Sequence, residues 1–132
     1  MFHRFPQTMA ALEVMPESFR TGMGHDYDSH GPEGAVGIER SFEPWNRHHL
    51  IPTVLPALDG IVERLQAGIT VADIGCGHGL STILMAQAFP ASDFVGYDFH
   101  PGSIAAATAH AIAHGVAPND PFNQGLAHAL RE

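Results

Sequence analysis

Three glycines at alternate positions, Gly75, Gly77 and Gly79, constrain this chain more than any other feature. They follow Ile69-Thr-Val-Ala-Asp73-Ile, a short and mostly apolar run that reads as a strand covered on both faces. Glycine accepts positive φ and has no Cβ to hold a ligand away from the main chain. Leu80 to Phe89 then reads as an apolar helix closed by Pro90. A tight turn at the carboxyl end of a strand, beside a helix N-terminus, is where open α/β sheets bind ligands. The expected fold class is therefore α/β, with the turn as the candidate site.

The spacing narrows the ligand. A dinucleotide fingerprint, Gly-x-Gly-x-x-Gly, needs its third glycine at position 80, which is Leu. The pattern present is Asp73-x-Gly75-x-Gly77-x-Gly79. A pyrophosphate wants the amides of a helix end. Downstream, Asp93-Phe-Val-Gly-Tyr-Asp98 reads as a second strand ending in an acid, 23 residues after Gly75. That is close to the interval of roughly 20 residues at which such folds place an acid against a ribose. A carboxylate has two acceptor oxygens and can take both ribose hydroxyls.

Together these residues resemble motif I and the following strand of the class I S-adenosylmethionine-dependent methyltransferases. The resemblance implies a partial Rossmann-like fold, its first β-α-β-α unit over residues 69–116. A helical and loop segment, 1–68, precedes it, and a tail outside the family pattern, 117–132, follows. It implies S-adenosyl-L-methionine as cofactor, held by Asp73, Gly75, Cys76, Gly77 and Gly79, with Asp98 on the ribose and Phe99 beside the adenine. Phe19-Arg-Thr-Gly-x-Gly, Tyr27-Asp28, Phe42 to Arg47 and Leu55-Pro-Ala-Leu-Asp-Gly60 are similar to a bacterial group of these enzymes. Members of that group carry a winged-helix-like N-terminal domain. By that likeness Tyr27 contacts the methionine carboxylate; a loop aromatic packed on the core is the competing reading. A small-molecule methyl acceptor is implied as partner. Three readings stay open: an incomplete methyltransferase, a non-catalytic remnant or cofactor-binding module, and an NAD-binding module, which Leu80 and Asp73 disfavour.

Along the rest of the chain, Thr8 to Met15 is expected to be a short helix, and residues 21–40, dense in Gly, a long loop. Ser41 to Leu50 reads as a helix with Ser41 as N-cap, and Ile61 to Ala67 as a helix with Gly68 just past its end. Pro101 to His114 is an alanine-rich helix stopped by Gly115. Pro118 and Pro121 flank Asn119-Asp120, so no third strand is expected there, only a short helical tail over Leu126 to Arg131. Two strands alone leave an apolar edge that favours self-association. On this reading the chain is truncated and inactive by itself, and no catalytic residue is assigned.

Charge and cysteine count exclude some partners. Six Arg, no Lys and fourteen acids give a net charge of −8, which disfavours a phosphate backbone as ligand. One cysteine, Cys76, allows no internal disulfide and fits a reducing compartment. With neither a membrane span nor a signal-peptide core visible, a cytoplasmic protein is expected. Ten histidines raise the question of a metal. His110 and His114 share a helical face, but no third ligand lies at motif spacing, so no metal site is expected.

Overall fold

Strands β1 (Thr70–Ile74), β2 (Asp93–Asp98) and β3 (Phe122–Gln124) form one parallel sheet in the order β1-β2-β3. The computed structural model describes residues 5–24, 31–116 and 122–124. Tyr27 and the expected helical tail, Leu126 to Arg131, lie outside those residues. The third strand corrects the expectation of two. Pro118 and Pro121 lie outside the described residues. The strand runs for three residues, Phe122–Gln124, and among the described residues it lies at the sheet edge beside β2, with Gly96 opposite Phe122 and Asp98 opposite Gln124.

The chain divides into two compact units, Met1–Ser41 and Phe42–Glu132. In the first, α1 (Phe5–Ala11) and α2 (Met15–Thr21) replace the single helix expected over Thr8 to Met15. Gly22 ends α2 at φ 70°, the left-handed stop that glycine allows. Helix α3 (Gly31–Trp45) corrects the long loop over residues 31–40, and the Ser41 cap with it. Gly34 and Gly37 are buried inside it, and the Ser41 hydroxyl donates to the Gly37 carbonyl at 2.7 Å, a bond of a residue within a helix. Gly and Pro count as breakers by composition, but Pro32 stands in the first turn, where a missing N–H costs nothing. The second unit begins at Phe42, and in it Asn46–Val54 forms a π-helix, with Leu55 N–H reaching the Leu50 carbonyl, a wider winding that takes in Pro52.

In the second unit, α4 (Ile61–Ala67), α5 (Leu80–Ala88) and α6 (Pro101–Ala113) surround the sheet connections as expected. Gly68 follows α4 at φ 97°, and a Cβ there would stand 2.7 Å from the Ala91 carbonyl oxygen. The Ser92 hydroxyl donates to the Leu65 carbonyl at 2.6 Å and accepts from Ile69 N–H at 3.0 Å, fixing how α4 enters β1. Leu55, Leu65, Met85, Phe89 and Phe94 form one buried cluster, and Ile83, Ala107 and Ala111 another.

β1 is not covered on both faces. Val71 and Asp73 are half-buried, while Thr70, Ala72 and Ile74 are exposed. The register sets Val71 beside Phe94 and Asp73 beside Gly96, so one face of the sheet carries the core. An apolar run reads as doubly buried only where layers lie on both sides; here the burial alternates with the pleat. Among the described residues β1 is an edge strand, and no helix is long and apolar enough to cross a membrane.

Candidate functional site: the turn between strand β1 and helix α5

The main chain leaves β1 through three left-handed glycines, Gly75 at φ 79°, Gly77 at φ 55° and Gly79 at φ 79°. A residue with a Cβ pays for each such angle. The space above the first two is open: a Cβ added to Gly75 or Gly77 would meet nothing within 4 Å. Glycine is required here by the backbone angle, and the cradle it leaves is open.

The turn is fastened to the neighbouring strand. Gly75 and Cys76 N–H both donate to the Tyr97 carbonyl, at 2.7 and 3.0 Å. Gly79 N–H closes back on the Cys76 carbonyl at 2.9 Å, and Ile83 N–H on Gly79 starts α5. Gly77 N–H donates to Asp98 Oδ2 at 2.9 Å. The other oxygen, Oδ1, accepts His100 N–H at 2.9 Å, a side-chain turn that opens α6. One carboxylate thus joins the turns after β1 and β2. Each oxygen has two lone-pair sites, so both retain capacity for a hydroxyl donor.

Asp73 lies on the same sheet face as Asp98, by the alternation of β2 and the register of β1. Its Oδ2 accepts the Thr82 hydroxyl at 2.6 Å. Thr82 is 2% exposed, so its hydroxyl would be costly to leave unpaired. Cys76 is half-buried between these acids. Burial, then the charges of Asp73 and Asp98, push its thiol up to about 12. At neutral pH such a thiol stays protonated and is a poor nucleophile. Phe99 is 49% exposed and meets the His100 ring edge-on at 6.4 Å.

The structure therefore gathers Asp73, Gly75, Cys76, Gly77, Gly79 and Asp98 into one corner, with Phe99 at the start of the next turn. Tyr27 lies outside the described residues. Sequence reasoning missed Thr82, the Tyr97 carbonyl and the His100 amide. Only Thr82 left a signal, a hydroxyl within the apolar run Leu80 to Phe89. The i,i+4 histidines meet through the main chain, His114 Nδ1–H donating to the His110 carbonyl at 2.8 Å. His110 Nδ1–H donates to the His78 carbonyl at 3.3 Å, with the two rings 6.0 Å apart. Among the described residues no group of three or more His, Cys, Asp and Glu could hold a metal ion.

Asp98 supplies acceptors for a diol, Asp73 a negative charge beside the turn, and the glycines an approach to the main chain. Nothing in the corner is a strong nucleophile. It is suited to holding a polar, partly cationic ligand rather than to attacking one. Comparison with known families adds one finding: the family described as methyltransferase domain matches residues 65–132, just over half of the chain.

Proposed function

The chain belongs to the methyltransferase-domain family, and from that premise we propose that it binds S-adenosyl-L-methionine in the corner between β1, β2 and α5 and serves methyl transfer. The observation that carries this reading is the bond from Gly77 N–H to Asp98 Oδ2. It sets a ribose-binding acid directly against the glycine cradle. The class I subgroup, and within it the bacterial group with a winged-helix-like N-terminal domain, are part of the same proposal, supported by the motifs at residues 19–60 and 73–98.

When bound, the cofactor supplies an activated methyl group on a sulfonium. The chain's own residues do the holding. Asp98 takes the ribose hydroxyls through lone pairs left beside its two amide donors. The cradle over Gly75 and Gly77 admits the sulfur-bearing end of the ligand close to the main chain. Asp73 offers its charge to the amino-acid ammonium. Phe99, exposed at the head of α6, flanks the adenine. Because methyl transfer gains much of its rate from alignment, fixing the donor in a rigid corner is the protein's main contribution on this side of the reaction. The methyl acceptor is proposed to be a small molecule, since the net charge of −8 repels polyanions.

Calorimetric titration with S-adenosylhomocysteine and, separately, with NAD tests the reading. Binding of the first alone supports it. Binding of NAD alone, or of neither, overturns it. Asp98→Ala should weaken S-adenosylhomocysteine on the order of a hundredfold, as expected for losing two hydrogen bonds to a charged acceptor. Unchanged affinity removes the ribose assignment.

A further inference from the structure

The turn is braced by two carboxylates, and they are held in different ways. Asp98 is fixed by main-chain amides of Gly77 and His100. Asp73 is fixed by a side chain, the Thr82 hydroxyl, which reaches back from the first turn of α5. Thr82 is 2% exposed in a helix stretch that otherwise packs apolar groups, Ile83 and Met85 among them. A buried hydroxyl there is not needed for packing, since Val would fill a similar volume.

We infer that Thr82 is a positioning residue, which orients the Asp73 carboxylate for the cationic end of the bound ligand. This rests on the cofactor reading above. The hydroxyl engages Oδ2 and leaves Oδ1 outside that bond. A carboxylate at the end of a strand rotates about a broad, two-fold torsion. A short bond to one oxygen fixes the plane of the group and so where the second oxygen points. Without it the charge remains but its direction is lost, and a ligand ammonium must order it on binding. Thr82 therefore sets affinity for the amino-acid end of the ligand and leaves the adenosine end to Asp98.

The test compares two ligands that share the adenosine and thioether. S-adenosylhomocysteine carries the ammonium and carboxylate, and 5′-methylthioadenosine lacks both. Each is titrated calorimetrically into wild type, Thr82→Val and Thr82→Ser. Thr82→Val should weaken S-adenosylhomocysteine on the order of tenfold, the loss expected from one hydrogen bond to a charged group, with methylthioadenosine changed by less than about twofold. Thr82→Ser keeps the hydroxyl and should restore the wild-type ratio. An unchanged ratio in Thr82→Val, or equal weakening of both ligands, overturns the inference while the cofactor reading stands. Failure of Thr82→Ser to restore the ratio also overturns it. If wild type binds neither ligand, the cofactor reading falls and this inference with it.

Discussion

The two faces of the small sheet are built from the same strands and have different fates. One carries Val71, Asp73, Phe94, Gly96 and Asp98, packed by α4, α5 and α6. The other carries Thr70, Ala72 and Ile74 from β1, all exposed, with Asp93, Val95 and Tyr97 beside them. The pleat sends alternate residues to opposite sides, so core and chemistry are drawn from one parity of the sequence. Asp73 and Asp98 are held in place because their face is the packed one. The turn glycines continue from that ordered corner.

Removing core from the packed side should have the largest effect. Leu65 is 1% exposed, and Leu65→Ala should cost about 2–5 kcal/mol, read from the urea midpoint at constant slope. A cost under 1 kcal/mol would make the two faces equivalent. Next is chemical silence on the same side. With its thiol pushed up to about 12, Cys76 should alkylate at pH 8 on the order of a thousandfold more slowly in the folded protein than in denaturant, since the thiolate is the nucleophile. Comparable rates would place the thiol in solvent. The same shift fixes a sign. The folded-state value is raised, so the unfolded chain loses this proton first, and stability should fall as pH rises from 9.0 towards about 12.

Gly68→Ala should cost about 1–3 kcal/mol through its left-handed φ and the approach to Ala91; a melting temperature equal to wild type would show that the segment can shift. The smallest effect belongs to the open face. Ile74 is 47% exposed, and Ile74→Ala should cost under about 1 kcal/mol. A loss matching Leu65→Ala would mean that something covers that face after all.

The parts legible in the sequence were those set by neighbours along the chain. The strand, the alternating glycines, the helix from Leu80 and the acid ending β2 all follow local rules, and the structure puts them where those rules say. The misreadings came from longer-range causes. Gly34 and Gly37 look like breakers one at a time, yet α3 runs through both. Phe122 to Gln124 is too short to signal a strand until β2 lies beside it. The doubly covered reading of β1 depended on layers that no run of Val and Ile can report. Thr82 is nine residues from Asp73, and only the return of α5 onto β1 brings them within 2.6 Å.

On the proposed function, a ligand is held in the corner made by the β1 turn and the end of β2, on the packed side of the sheet. Amide chemical-shift mapping of the labelled protein during titration with S-adenosylhomocysteine tests it most directly. The largest shifts are expected at Gly75, Gly77, Gly79, Phe99 and His100, with Thr70, Ala72 and Ile74 nearly unmoved. Shifts centred on the open face, or none at saturating ligand, would contradict it.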